Sequence, residues 1–355
     1  MNLREMMDGN GKLVIPDHPL MFFLDLTQRC NLRCWFCYNE PAKERIDANF
    51  ENIKQILTDM KNVGCEEVTY LGGEPTIYKH FWEILDFADS LGYRQCFVTN
   101  GQIIDDRFAK KLAEYDGIEV GISFHSVKEE VQNAIAKSPQ AYSRIIEAIK
   151  SLEKYNINWY SQTSLIKDNY LEIEAMHSFL KCIGKPVRMD LSRMVEGGIE
   201  SSQFLDDKEY EQVFEQISRL DVDAIPIRVE AFPRCWLKKV ANKKDLDYDK
   251  IRCSVRPCYA WVGQVSVDVF GNVRMCPTGG TVAGNILESG IKEIWNSSRE
   301  ITEFQKFKWQ KEECLECEDF AFCVGACKMT CRGKYPAPDK YIIGNCETRF
   351  ASSQS

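Results

Sequence analysis

Sixteen cysteines in a chain of 355 residues constrain this protein more than any other feature, because they are so unevenly placed. Three fall at Cys30, Cys34 and Cys37, and four (Cys65, Cys96, Cys182 and Cys235) are scattered through the middle. The remaining nine lie between Cys253 and Cys346. Disulfide frameworks belong to oxidising compartments and suit small secreted scaffolds. The first twenty residues carry acids and turn formers instead of an apolar signal core, which points to an unsecreted, cytoplasmic chain. The cysteines are therefore read as metal ligands. No apolar run approaches the roughly 18 residues of a membrane span. A hydrophobic content of 44% is ample for a buried core, and a net charge of −8 argues against a nucleic-acid partner.

Between residues 20 and 230 short apolar strands alternate with amphipathic helices. Strands are expected at 21–26, 67–73, 94–101, 118–125, 156–166 and 186–194. Helices are expected at 50–64, 80–92, 105–115, 140–155, 169–182 and 206–219, several closed by glycine. Such alternation implies βα units on a parallel sheet, and six units suit a partial (β/α)6 barrel with its chemistry at the C-terminal strand ends. The first cysteines, Gly72–Gly73–Glu74, Asn100 and Ser123 all fall at such ends. The organisation read from this is an N-terminal extension over 1–19, the partial barrel over 20–227, an exposed basic connector over 228–252, and a small cysteine-rich domain over 253–355. One hairpin is expected at 262–276, turning near Phe270–Gly271–Asn272, with a helix near 290–305.

Cys30, Cys34 and Cys37 form C-x3-C-x2-C. Three thiolates on one loop suit three irons of a [4Fe–4S] cube and leave the fourth iron open. The alternative is a zinc knuckle, which wants a fourth ligand nearby, and the nearest histidine is His80. This motif after the first strand, with Phe36 before its last cysteine, resembles the radical S-adenosylmethionine superfamily. The resemblance extends to Leu71–Gly72–Gly73–Glu74–Pro75 after the second strand and to Thr99–Asn100–Gly101 after the third. It implies that S-adenosylmethionine chelates the open iron and is cleaved to methionine and a 5′-deoxyadenosyl radical, which takes a hydrogen atom from substrate. It further implies that Gly72 and Gly73 let the cofactor's ammonium approach, with Glu74 and neighbouring carbonyls as acceptors. Phe36 would pack on the adenine, and Asn100 belongs to the same cofactor-binding set. Ser123 is a candidate for the ribose or carboxylate and equally a plain strand-end hydroxyl. Arg144 is a candidate carboxylate donor, or a solvated helix arginine.

The C-terminal series reads Cys258-x12-Gly271-x4-Cys276, then Cys314-x2-Cys317-x5-Cys323-x3-Cys327, then Cys346. Every interval is similar to that of the SPASM domain, which carries two auxiliary [4Fe–4S] clusters and brings the implied total to three. The resemblance assigns Cys314, Cys317, Cys323 and Cys346 to an outer cluster and Cys258, Cys276 and Cys327 to an inner one. Two fully ligated clusters need eight thiolates. Cys253, just upstream of Cys258, is the favoured eighth; Cys331 is a rival, and substrate itself could fill an open site. Cys65 and Cys96 read as buried small hydrophobes, and Cys235 has no assigned role.

The family resemblance implies oxidative modification or crosslinking of a peptide or protein side chain, fed by a donor such as flavodoxin or ferredoxin. The alternative is the same chemistry on a small metabolite, a tetrapyrrole side chain or an amino sugar. A non-catalytic iron–sulfur electron carrier is a third reading, and the intact GGEP element argues against it. Pro277 stands where formylglycine-forming members carry an aspartate, which disfavours that reaction. Few residues precede the first strand, so leader binding would fall to a separate protein or another surface. Residues 228–256 hold nine Lys or Arg against four acids, a patch that could receive an acidic leader or read as a solvated linker. Arg188 or Arg193 is expected to point into the barrel, and His125, Tyr160 and Gln162 to line its cavity, the last two sharing a strand face.

Overall fold

The sequence alternation resolves into six βα units in which each helix lies over the sheet through an apolar stripe. A computed structural model describes residues 6–8, 12–39, 45–194 and 203–327. Strand β1 (Met21–Thr27) leads to α1 (Phe50–Asn62), β2 (Glu67–Gly72) to α2 (Phe81–Ser90), and β3 (Arg94–Thr99) to α3 (Asp106–Leu112). After β4 (Glu119–Ser123) come α4 (Glu129–Ala136), which sequence reasoning did not anticipate, and α5 (Ala141–Lys154). Then β5 (Asn158–Leu165) leads to α6 (Ile173–Ile183) and β6 (Met189–Arg193) to α7 (Asp207–Arg219). Adjacent strands pair in parallel in chain order. Local chemistry fixes the ends. The Asn49 side chain accepts the first free N–H groups of α1, and Asp206 with Glu209 closes a capping box on α7.

Strand register separates two faces. Leu24, Tyr70, Phe97, Val120 and Trp159 follow one another across β1 to β5 on the helix-covered side, all at 0% exposure. The helix-free face carries Phe23 and Asp25, Thr69, Cys96, Glu119, Gly121 and Ser123, Tyr160 and Gln162, then Arg188 and Asp190. Tyr160 and Gln162 do share this face. Arg188 belongs to it, whereas Arg193, an odd number of residues along, points into the helix layer against Phe232.

Beyond α7 the structure departs from an exposed connector. Residues 228–252 hold most of β7 (Ile227–Glu230), then α8 (Arg234–Lys244) and nearly all of α9 (Tyr248–Cys253), and β8 (Val255–Arg256) follows. β7 pairs with β6 and β8 with β7, so the parallel sheet continues. The physical reason lies in the apolar residues between the lysines: Trp236, Leu237, Val240 and Ala241 are buried under α8. Its cations are largely spoken for, Lys243 and Lys244 by Glu211 and Glu215 at 2.7 Å and Lys238 by Asp319 at 3.3 Å.

The expected hairpin forms from β9 (Gln264–Val267) and β10 (Asn272–Cys276), and β11 (Gly279–Asn285) adds an antiparallel edge. β9 also pairs in parallel with β1, giving among the described residues one eleven-stranded sheet in the order β11-β10-β9-β1-β2-β3-β4-β5-β6-β7-β8. The helix expected near 290–305 is two, α10 (Ile286–Ser297) and α11 (Arg299–Gln305), and the short helices α12 (Glu312–Leu315) and α13 (Phe320–Cys323) carry cysteines. Among the described residues no helix is long and apolar enough to cross a membrane.

Candidate functional site

The first cysteine loop leaves β1 through a polar clasp. Thr27 donates to Asp47 at 2.6 Å, and Asp47 takes the Arg29 guanidinium in two hydrogen bonds of 2.8 and 2.7 Å. Further on, the N–H groups of Arg33 and Trp35 reach the carbonyls of Ala136 and Ile135 at the end of α4. Leu32 packs on Ala136 and Ala141, with Cys30 and Cys34 against them, so the unanticipated α4 is what backs this loop. Cys30 and Cys34 are half-buried and Cys37 exposed. Burial pushes all three thiols up, Cys34 to about 12, and at Cys37 the Arg45 charge works against the rise.

The glycine pair after β2 is required by backbone contact. The Gly73 N–H donates to the Thr27 carbonyl at 2.6 Å and the Glu74 N–H to the Arg29 carbonyl at 2.8 Å. A Cβ on Gly72 would lie 2.3 Å from the Thr27 carbonyl oxygen, and one on Gly73 2.0 Å from that of Arg29. Gly72 also has φ +117°, which disfavours a side chain. Glu74 differs from the expectation of a cofactor acceptor. It is 1% exposed, and its carboxylate accepts from Thr76, from the Thr99 hydroxyl at 2.7 Å and from the Asn100 N–H at 2.7 Å. Its charge is spent on holding the end of β3 beside the cysteine loop. Asn100 in turn gives its side-chain amide to Asn31 at 2.7 Å and to the Cys30 sulfur at 3.6 Å.

Phe36 meets the His125 ring edge-to-face, centroids 5.0 Å apart. His125 is buried and neutral, its pKa lowered to about 4 by desolvation, and its Nδ1 accepts the Ser164 N–H. Ser123 is half-buried at the end of β4, in register with Gln162, which donates to Ser192 at 2.6 Å. Arg144 is exposed in the first turn of α5 and pairs with Glu147 at 3.3 Å; in this arrangement it is the solvated helix arginine.

Two charge groups stand on the helix-free face: Arg188, the arginine expected in the barrel, with acidic partners that sequence reasoning missed, and Asp25, which it missed altogether. Arg188 lies over the Tyr160 ring at 3.7 Å and bonds Glu119 at 2.7 Å and Asp190 at 3.0 Å. Asp25 stands on β1, one of its oxygens buried without a hydrogen-bond partner, and burial together with the charge of Asp268 raises its pKa to about 7. Asp268 is satisfied by the N–H groups of Phe270 and Asn272 and by Arg274 at 2.5 Å. The available signal was a lone acid inside the apolar run MFFLDL.

Of the C-terminal cysteines, burial pushes the thiol of Cys276, which ends β10, up to about 12 with the Cys258 charge adding to the rise, and that of Cys314 up to about 11 with Cys323, Cys235 and Cys317 adding to it. Cys253 ends α9 and is exposed. Cys327 is half-buried. Cys346 and Cys331 lie outside the described residues. No disulfide joins the described cysteines, and no three His, Cys, Asp or Glu side chains among the described residues form a group able to hold a metal ion. Three thiols on one loop are the donor type of an iron–sulfur cluster, whose thiolates each bind a separate iron. The glycine pair lets the Thr27 and Arg29 backbone pack against the end of β2, which fixes the strand end beside the first loop.

Comparison with known proteins agrees. Residues 24–180 match the family model of the Radical SAM superfamily, and residues 258–318 match that of SPASM, an iron–sulfur cluster-binding domain. The chain is thus an enzyme of the radical SAM superfamily. Within it, the chain belongs with the enzymes that carry a C-terminal SPASM domain. An AdoMet-dependent heme synthase of Methanosarcina barkeri is 22% identical, over 93% of this chain and 96% of its own length. PqqA peptide cyclase of Bradyrhizobium diazoefficiens is 22% identical over 87% of this chain and 81% of its own. Among solved structures, Streptococcus suis SuiB bound to precursor peptide SuiA superposes with a TM-score of 0.73 at 19% identity, over 92% of this chain and 75% of that one.

Proposed function

We propose that this enzyme oxidatively modifies or crosslinks a side chain of a peptide or protein. The observation that carries the reading is the junction of the two cysteine sets across one sheet: β1 leads into Cys30, and its neighbour β9 leads through the hairpin to Cys276. Such a junction suits a reaction in which a substrate held over the helix-free face loses hydrogen at one end and an electron at the other. When bound, the first cluster and S-adenosylmethionine supply the 5′-deoxyadenosyl radical for that hydrogen abstraction. Cys30, Cys34 and Cys37 would hold the first cluster, with Phe36, Gly72, Gly73 and Ser123 around the cofactor. The C-terminal cysteines, with Cys253 or the substrate completing the inner set, would hold two auxiliary clusters. Arg188, Asp190, Tyr160 and Gln162 offer the substrate a polar floor, and His125 closes one wall as a neutral ring. The peptide class is supported by PqqA peptide cyclase among the relatives. The heme synthase relative, which spans nearly the whole chain, favours the second reading of a small metabolite such as a tetrapyrrole side chain.

Anaerobic reconstitution is expected to load about twelve irons per chain; a value near four sinks the three-cluster reading. Mass spectrometry then tests the substrate class. A short peptide found encoded beside the gene is expected to lose hydrogen mass on incubation with enzyme, S-adenosylmethionine and dithionite. Turnover of a porphyrin carboxylate in its place supports the second reading.

A further inference from the structure

We propose that Asn100 sets the reduction potential of the cluster held by Cys30, Cys34 and Cys37, by donating its side-chain amide to the Cys30 sulfur. The proposal rests on the iron–sulfur site alone and holds whichever substrate class the enzyme takes. Asn100 lies directly after β3, and each of its polar groups has a fixed partner. Its backbone N–H goes to Glu74 at 2.7 Å. Its Oδ1 accepts the Gln102 N–H at 3.1 Å, which leaves Nδ2 as the group aimed at the cysteine loop. There Nδ2 donates to Asn31 Oδ1 at 2.7 Å and to Cys30 Sγ at 3.6 Å. Gln102 is anchored as well, its side chain donating to the Asn100 carbonyl at 3.1 Å and to the Ala141 carbonyl at 3.2 Å. The amide cannot turn away without losing several bonds.

The three thiols are not equivalent in this respect. Cys30 receives the Leu32 N–H at 3.4 Å in addition to the Asn100 amide. Among the described residues, neither Cys34 nor Cys37 receives a side-chain donor. An N–H aimed at a cluster thiolate stabilises the reduced, more negative form and so raises the potential. The need for it is local. Glu74 is a buried carboxylate whose charge acts on Cys30 in the opposite sense. Asn100 stands between the two and presents an N–H to each. Glu74 thereby becomes a positioning residue, holding Asn100 by the backbone while the amide dipole shields the sulfur from the carboxylate's field.

The test is a redox titration of the full-length, anaerobically reconstituted protein followed by electron paramagnetic resonance. The first cluster is recognised as the signal that changes when S-adenosylmethionine is added. Asn100→Ala removes the donor. Asn100→Asp keeps the Oδ1 acceptor for Gln102 but puts a carboxylate oxygen toward the sulfur. Both are expected to lower the reduced-to-oxidised ratio at fixed poise, by about tenfold for Asp, or ~59 mV for a one-electron couple, and by less for Ala. The signals that ignore S-adenosylmethionine should keep their midpoints. An iron-loaded variant whose first-cluster midpoint matches the wild type overturns the proposal. Failure of both variants to load the first cluster overturns it too, since Asn100 would then serve assembly and not potential.

Discussion

His125 illustrates how far a single residue can be read. Its ring is buried against Phe36 with Nδ1 taken by the Ser164 N–H, so protonation would place an unsolvated cation beside an aromatic edge. The folded pKa of about 4 lies below the usual 6.5, so between those values the unfolded chain binds more protons than the folded one. Stability is therefore full above about pH 6.5 and falls as pH drops toward 4, by about 3 kcal/mol at most. His125→Asn keeps an acceptor for Ser164 and should remove this loss; urea midpoints of the metal-free chain at pH 7 and 4.5 measure it. Gly73 makes the opposite kind of case. Its added Cβ would meet the Arg29 backbone and not a flexible side chain, so Gly73→Ala must push the cysteine loop away. The expected cost is roughly 1–3 kcal/mol, with iron retained after reconstitution falling well below the wild type. GGEP was legible as a motif, but Glu74's inward turn was not. A sequence shows that an acid follows two glycines, and only the fold shows that four donors converge on it.

At the scale of elements, the first six strands were legible because each is a short apolar run stopped by a turn or a helix cap. Segment 228–252 was misread for a physical reason. Counting charge gave weight to its lysines, while the apolar spacing Trp236, Leu237, Val240 and Ala241, which marks a helix, was diluted by them. In the structure Trp236 stacks on Phe232 with centroids 5.1 Å apart and meets Phe214 at 5.8 Å, so α8 is part of the core. Trp236→Ala should cost about 3–5 kcal/mol. Lys243→Ala, which removes one exposed partner of Glu211 while Lys244 remains, should cost under about 1 kcal/mol. Chemical denaturation of the two variants separates a core helix from a charged linker. Helix α4 was missed because EEVQNAIA is only eight residues long and its buried positions include a glutamine. That glutamine, Gln132, accepts the His125 and Ser126 N–H groups and so fixes the wall of the site.

The whole molecule was expected as a barrel followed by an appended domain, and its hydrogen bonding argues for tighter union. β9 lies along β1 from Met21 to Leu24, so the C-terminal hairpin covers what would otherwise be an open edge of the barrel sheet. α10 is tied back as well. The Ile291 N–H donates to Asp59 on α1 at 2.6 Å and the Trp295 indole to the Pro16 carbonyl at 2.9 Å. Val265, Val267, Ile291 and Trp295 are all buried within the same hydrophobic core as Phe22 and Leu24. A chain cut after residue 227 would lose β7 to β11 and leave β1 unpaired on one side with apolar neighbours exposed. It should therefore be insoluble or aggregate, even though it contains every residue of the first cysteine loop and GGEP. The metal-free full-length chain should unfold in one calorimetric transition, because no boundary in the sheet lets one part melt while the other keeps its edges paired. Two separated transitions, or a soluble and folded 1–227 fragment, would show that the β1–β9 ladder contributes little. One cooperative unit also fits the chemistry, since the spacing between Cys30 and Cys276 is then set by the consecutive strands β1, β9 and β10 of a single sheet and not by a linker.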